Sequence, residues 1–120
     1  AKVYGDLLKN LDGLQSPKID NSSLSNYQTY AVLLDFYNPN EIDMRKKIME
    51  KMRERGIQTQ IGTYSISGTP YLQKYKVIGS LTNSKRLESC LLSLPLHHDL
   101  STADQERVVM ELDNIIKSFG

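Results

Sequence analysis

Apolar side chains recur three to four residues apart in three parts of the chain, which predicts three amphipathic helices. The first covers Val3 to Leu11, with Gly13 as its stop and no cap residue ahead of it. The second begins after Asn40, its predicted cap, and ends at Gly56, which can adopt the left-handed conformation at low cost. The third closes the chain, and its buried stripe is predicted to be Val108, Leu112, Ile115, Ile116 and Phe119.

The second helix has an apolar stripe on one side and charged side chains on the other. Its predicted buried positions are Ile42, Met44, Ile48, Met49 and Met52. Over residues 41–55, six basic residues face four acidic ones, so we interpret the polar side as a solvated helix face. Nucleic-acid binding by this face is a weak alternative, because affinity requires net neutralisation of phosphates.

Alternation of apolar and polar residues predicts three strands. Tyr27 to Phe36 carries apolar residues on both faces, which predicts a strand in the interior of a sheet. Ile57 to Ile61 alternates cleanly. The third strand covers Leu92 to Leu96, where Pro95 indicates either an edge strand or the end of a strand.

The remaining segments show less regular patterns of apolar and polar residues. Residues 15–26 form a loop rich in serine, and residues 71–78 are ambiguous between helix and strand. A short helix begins at Asn83 or Ser84, with Leu87, Cys90 and Leu91 expected to face inward. Either Ser101 or Thr102 caps the final helix, since both begin a capping-box pattern.

The order of elements predicts an α+β fold, a small mixed, mainly antiparallel sheet covered by helices.

Composition narrows the function classes. The 120 residues carry a formal net charge of +1, which gives no reason to expect a nucleic-acid-binding face. The single cysteine, Cys90, cannot form an internal disulfide or a cysteine-rich zinc site, and its place on an apolar helix face predicts a buried, unreactive thiol. No apolar run is long enough for a membrane span, and no leader marks export, so we expect a cytoplasmic protein.

Two clusters carry polar side chains that could support chemistry. His97, His98 and Asp99 lie side by side, but adjacent histidines rarely bind one metal, so we expect a turn and no metal. The loop from Gly62 to Tyr71 carries four hydroxyl residues and two tyrosines, side chains suited to hydroxylated ligands. The alternative interpretation of this loop is a surface turn whose tyrosines cover the core.

Several segments resemble one family in the same order along the chain. They are Asn26–Val32 (NYQTYAV), Arg55–Tyr64 (RGIQTQIGTY) and Leu92–Ser101 (LSLPLHHDLS), followed by an acidic helix. These segments resemble the C-terminal region of the DegT/DnrJ/StrS family of sugar aminotransferases, which depend on pyridoxal phosphate (PLP). Tyr4 to Leu11 resembles the end of the helix that joins the two domains of such enzymes.

The resemblance implies the small domain of a fold type I aminotransferase, with residues 1–14 ending the inter-domain helix and 15–120 forming the C-terminal small domain. Such enzymes are usually dimers and transfer an amino group to a keto sugar attached to a nucleotide. The PLP-binding residues of the family lie in its large N-terminal domain, and no position here matches them. The chain also begins with Ala1. We therefore expect an excised C-terminal part that binds no PLP and is inactive alone.

Carried over residue by residue, the resemblance implies that the loop after Ile61 faces the substrate. Gly62-Thr63-Tyr64 matches a subset of the family, whereas Ser67 and Thr69 replace a common histidine and glutamine. Thr63, Tyr64 and Ser67 are therefore the predicted substrate-binding residues. The alternative function is a free-standing regulatory or ligand-binding module of α+β fold.

Overall fold

The structure, a computed structural model, describes residues 1–36 and 43–119. The helices are α1 (Lys2–Leu8), α2 (Met44–Glu54), α3 (Thr82–Cys90) and α4 (Thr102–Lys117), and the strands are β1 (Leu14–Gln15), β2 (Tyr30–Leu34), β3 (Gln60–Ile61) and β4 (Leu91–Leu94). Two 3-10 helices, Ile66–Gly68 and Leu72–Lys74, lie between β3 and α3. The predicted cap Asn40 and the predicted buried Ile42 lie outside the described residues.

The strands form one sheet in the order β1-β2-β4-β3, and every pairing among them is antiparallel. The α+β prediction is confirmed, as is the interior position of β2. The edge alternative for β4 is wrong, because β4 pairs with β2 on one side and β3 on the other. The strand-end alternative is right: Leu94 is the last paired residue, so the missing N–H of Pro95 falls beyond the ladder.

The hydrophobic core lies between one face of the sheet and the helices. Tyr30, Val32 and Leu34 of β2 are buried at alternate positions, as the period of a strand requires. Helix α4 packs against α1 and α2. Its predicted stripe is confirmed for the four aliphatic residues, while Phe119 is partly buried. The buried residues of the other elements include Tyr4, Leu8, Ile48, Met52, Leu92 and Leu94.

The first helix is shorter than predicted. It ends at Leu8, and Gly13 is not its stop. Gly13 instead has a φ of +82° in the turn that leads into β1, where a Cβ atom would lie 2.9 Å from the Cγ2 of Ile116. Strand β1 was not predicted at all, because two residues carry no periodicity.

The bounds of all three predicted strands also differ: β2 covers 30–34 where 27–36 was predicted, β3 covers 60–61 where 57–61 was predicted, and β4 covers 91–94 where 92–96 was predicted. Strand β2 begins three residues late because Tyr27 has a φ of 46°, which is incompatible with an extended strand. Strand β3 pairs with β4 through Gln60 and Ile61. Residues 71–78 are neither a strand nor an α-helix; only Leu72–Lys74 form a single 3-10 turn.

The helix boundaries near the C-terminus follow from local chemistry. Ser101, not Thr102, caps α4: its hydroxyl accepts a hydrogen bond from the N–H of Asp104, whose carboxylate accepts one in return. Helix α3 ends at Cys90 and β4 begins at Leu91 with no connecting residue. Leu87 was expected to face inward, but it is 40% exposed.

Candidate functional site

The segment that leaves β3 is held at its start by Gly62. The N–H of Gly62 donates a hydrogen bond of 2.9 Å to the carbonyl oxygen of Leu91. A Cβ atom on residue 62 would lie 2.5 Å from the Cγ of Leu91, closer than any carbon contact allows. The glycine therefore lets the chain pass directly over the first residue of β4.

A buried serine fixes the same segment three residues later. Ser65 is only 4% exposed, and its hydroxyl lies 2.7 Å from that of Ser67 and 2.8 Å from that of Ser84 in α3. A hydroxyl can donate one hydrogen bond and accept two, so the three groups can form a continuous chain. The segment is thus attached to the α3–β4 unit at two points.

Tyr64 lies between these two attachment points. It is 71% exposed, whereas Gly62 and Thr63 before it are half-buried. We call residues 62–67 the Tyr64 loop. Its geometry presents one aromatic hydroxyl to the outside from a short segment that is fixed on both sides.

Arg45 of α2 lies beneath this loop. Its guanidinium donates to the carbonyl oxygens of Glu88 and of Leu91, the second at 3.4 Å. Burial lowers the pKa of Arg45, while the nearby Cys90, Tyr64 and Glu88 act in the opposite direction. Because the last carbonyls of a helix have no partner within it, Arg45 caps the C-terminus of α3 and joins α2 to the loop support.

The residues after the Tyr64 loop expose further apolar side chains. The rings of Tyr71 and Tyr75 lie 5.9 Å apart, and the ammonium of Lys74 lies 4.3 Å from the centre of the Tyr71 ring. Ile66 and Ile78 are also exposed. The segment from 64 to 78 therefore carries a concentration of aromatic and aliphatic side chains in contact with solvent.

A groove of about 640 Å³ lies at the other end of β3 and β4. Its polar lining includes Gln58, Gln60 and Arg107, and the guanidinium of Arg107 donates to the carbonyl oxygen of Arg55 at 2.6 Å. Leu96 and Leu100 supply part of its apolar lining. The groove is a concave surface separate from the Tyr64 loop.

The other candidates from the sequence are the cluster His97–Asp99 and Cys90, and the surroundings of both favour a structural role. His98 pairs with Asp99 at 3.0 Å on the surface, and no group of metal-ligating side chains occurs among residues 1–36 and 43–119. Cys90 is buried as predicted, and burial raises the pKa of its thiol, which disfavours the reactive thiolate. None of the described helices is long and apolar enough to cross a membrane.

Thr63, Tyr64 and Ser67 lie on one loop, but their side chains have different surroundings. Tyr64 faces solvent, whereas the Ser67 hydroxyl is paired with Ser65. Sequence reasoning missed Ser65, Ser84 and Arg45. Ser65 and Ser67 stand two residues apart in the hydroxyl-rich loop and Ser84 was predicted only as a possible helix cap, so nothing in the sequence pairs them.

Known structures share this fold over nearly the whole chain. The aminotransferase TlmJ from Streptoalloteichus hindustanus is 25% identical, with a TM-score of 0.80, over 98% of this chain and 30% of its own. PseC from Helicobacter pylori, an aminotransferase involved in pseudoaminic acid biosynthesis, is 19% identical, with a TM-score of 0.81, over 98% and 31%. DesI, solved in the presence of its TDP-sugar product, is 23% identical, with a TM-score of 0.75, over 96% and 29%.

The chain therefore spans about 30% of the length of the structures it resembles. A search of curated proteins gave no significant match. The sequence model of one family, however, matches residues 1–113, which is almost the entire chain. This chain belongs to the DegT/DnrJ/EryC1/StrS aminotransferase family.

Proposed function

We propose that this chain is the C-terminal small domain of a PLP-dependent aminotransferase that acts on nucleotide-linked keto sugars, and that it is inactive alone. Residues 1–14 would end the inter-domain helix, and residues 15–120 would form the domain itself. The family match over residues 1–113 and the similar aminotransferase structures support this assignment. The nucleotide-linked substrate is supported by DesI, which was solved with a TDP-sugar product.

The observation that carries the proposed role is the position of Tyr64 on its doubly attached loop. A side chain that contacts substrate must be accessible and must be held in a defined place. Tyr64 meets both conditions, with Thr63 beside it. Ser67 contributes to the placement through Ser65 and keeps an oxygen that can accept a further hydrogen bond.

The described residues do not fit PLP. The cofactor lysine of such an enzyme must be desolvated to act as a nucleophile. Nine of the ten lysines are exposed, and the half-buried Lys51 directs its ammonium to the Ser118 hydroxyl and the Phe119 ring. PLP would be held by the large N-terminal domain and would supply the amino-transfer chemistry, while this domain orients the sugar.

The partners proposed with this function are the large domain of the same polypeptide, the nucleotide-sugar substrate and a second subunit. We propose no nucleic-acid partner and no membrane partner, and a cytoplasmic location. Arg45 and Arg55 of the basic helix face are already occupied, Arg45 by carbonyls of α3 and β4 and Arg55 by Glu111 at 3.1 Å. The pathway proposed is the synthesis of amino sugars, including those of surface polysaccharides.

Replacement of Tyr64 by Ala in the full-length enzyme tests this function. We expect kcat/KM for the keto sugar to fall, with little change in KM for the amino donor, because only the sugar contacts the loop. Tyr75→Ala is the matched control, since it removes an exposed tyrosine from the same segment outside the Tyr64 loop. Unchanged kcat/KM in the Tyr64 variant would contradict the proposal.

The alternative function, a free-standing regulatory or ligand-binding module, is favoured by the groove beside β3 and β4. The two functions differ in the length of the natural polypeptide. A mass for the protein in its native cell that equals 120 residues would support the module. A mass larger by a PLP-binding domain would support the aminotransferase.

A further inference from the structure

We propose that Ser84 is a positioning residue for Tyr64 and so sets the affinity for the sugar substrate, although it lies on a different element from the Tyr64 loop. This inference rests on the proposed function of Tyr64. It adds a residue that neither the family match nor the sequence motifs indicate.

The hydroxyl of Ser65 is the centre of the argument. It is buried, and its two partners are the hydroxyls of Ser67 and Ser84. Ser67 belongs to the same loop and moves with it, so it cannot fix the loop to the rest of the molecule. Ser84 is the partner that belongs to the scaffold.

The scaffold around Ser84 is held firmly. Helix α3 continues directly into β4, which is paired on both sides in the sheet. Arg45 of α2 caps the other end of α3 through the carbonyl of Glu88. The hydrogen bond between Ser84 and Ser65 therefore connects the Tyr64 loop to three packed elements, α3, β4 and α2.

Among residues 1–36 and 43–119, the other hydrogen bond that attaches the loop on this side runs from Gly62 to Leu91. With a single attachment, residues 63–67 could rotate about Gly62, and the exposed ring of Tyr64 would sample several directions. The second attachment removes that freedom before substrate binds. Such preorganisation raises affinity, because the entropy of ordering the loop is not lost on binding.

The test is a double-mutant cycle in the full-length enzyme. Ser84→Ala is expected to raise KM for the keto sugar about 3- to 10-fold, the effect of one net hydrogen bond, with kcat little changed. Ser84→Thr, which keeps the hydroxyl, should restore most of the affinity. In a Tyr64→Ala background the Ser84→Ala substitution should have no further effect on KM.

A merely structural role for Ser84 gives a different result. In that case Ser84→Ala would lower activity equally in both backgrounds, and this outcome would overturn the inference. Ser80→Ala is the control, because its exposed hydroxyl is hydrogen-bonded to Thr82 at the start of α3 rather than to the Tyr64 loop. It should leave KM unchanged.

A second measurement separates failure of this inference from failure of the proposed function. Amide hydrogen exchange of the full-length enzyme without substrate reports the loop itself. We expect faster exchange at Gly68 and Thr69, whose N–H groups donate to Ser65 and Ile66, in Ser84→Ala than in Ser80→Ala. Unchanged exchange would refute the positioning itself. Faster exchange with a silent Tyr64→Ala would refute the sugar-binding function.

Discussion

The hydroxyl of Tyr4 donates a hydrogen bond of 2.9 Å to the carbonyl oxygen of Pro95, which lies 91 residues later in the chain. Tyr4 is completely buried, and its ring packs on Tyr30 with 5.1 Å between ring centres. This one side chain joins α1, β2 and the turn after β4. The first helix is therefore attached to the sheet by a specific polar contact as well as by apolar packing.

Tyr4→Phe should lower the free energy of unfolding by about 1 to 2 kcal/mol, because it leaves the Pro95 carbonyl without its donor. The measurement is urea denaturation at neutral pH. Tyr64→Phe removes an exposed hydroxyl and should change stability by less than about 0.5 kcal/mol. Equal effects of the two substitutions would contradict the importance of the buried hydrogen bond.

The same residue predicts a pH dependence. Burial, with smaller contributions from Asp104 and Tyr30, raises the pKa of Tyr4 to about 12. In the unfolded chain the pKa is about 10, so between these values the native state binds more protons and stability falls as pH rises. At pH 11 this contribution is on the order of 1 kcal/mol. Between pH 8 and pH 11 the free energy of unfolding, measured from denaturation curves, should therefore fall less for Tyr4→Phe than for the wild type. Equal falls would contradict the assignment of this pH dependence to Tyr4.

Gly62→Ala should destabilise the fold by roughly 1 to 3 kcal/mol, since its Cβ would overlap the side chain of Leu91. Gly68→Ala is a matched control in the same segment. There the nearest atom is a carboxylate oxygen of Glu88, 3.8 Å from the new Cβ. Thermal unfolding of both variants is the measurement.

A second substitution tests the cause of that destabilisation. Leu91→Ala in the Gly62→Ala chain should cost less stability than Leu91→Ala in the wild type, because it removes the Cγ and Cδ2 atoms that lie 2.5 and 2.8 Å from the added Cβ. Strict additivity of the two substitutions would show that the overlap with these two atoms is not responsible.

Ser101→Ala should lower stability by about 1 kcal/mol, because it removes the side chain that accepts the N–H of Asp104 at the start of α4. Thr102→Ala should have a smaller effect, since Thr102 is the first helical residue and does not form the cap. Chemical denaturation of the two variants distinguishes them. A larger loss for Thr102→Ala would mean that the other capping box forms in solution.

The sequence was sufficient where a periodic pattern or a capping residue determined the structure. The stripe of α4, the interior position of β2 and the left-handed Gly56, with a φ of +73°, all follow from such local signals. The inference from Pro95 was half right, because a proline excludes only its own N–H from a ladder. It says nothing about whether the residues before it are paired on both sides.

The sequence predicts Thr63, Tyr64 and Ser67 as substrate-binding residues, but it does not predict how their loop is attached to the fold. The hydroxyls of Ser65 and Ser84 are separated by 19 residues and meet only because the fold brings α3 beside the segment that follows β3. Arg45 looked like part of a solvated helix face, and its contact with α3 depends on how two helices pack. Contacts between distant elements leave no periodic trace in one sequence, so these residues could not be found before the fold.

The direct passage from α3 into β4 has a consequence for tolerated changes in length. With no connecting residue between Cys90 and Leu91, the helix end determines which residue of β4 meets Val32. One residue added at this junction would turn the alternate side chains of β4 to the opposite face, and Leu92 and Leu94 would leave the core. Natural length variation in this domain should therefore accumulate between the Tyr64 loop and α3, where the chain can lengthen without disturbing the pairing of any strand.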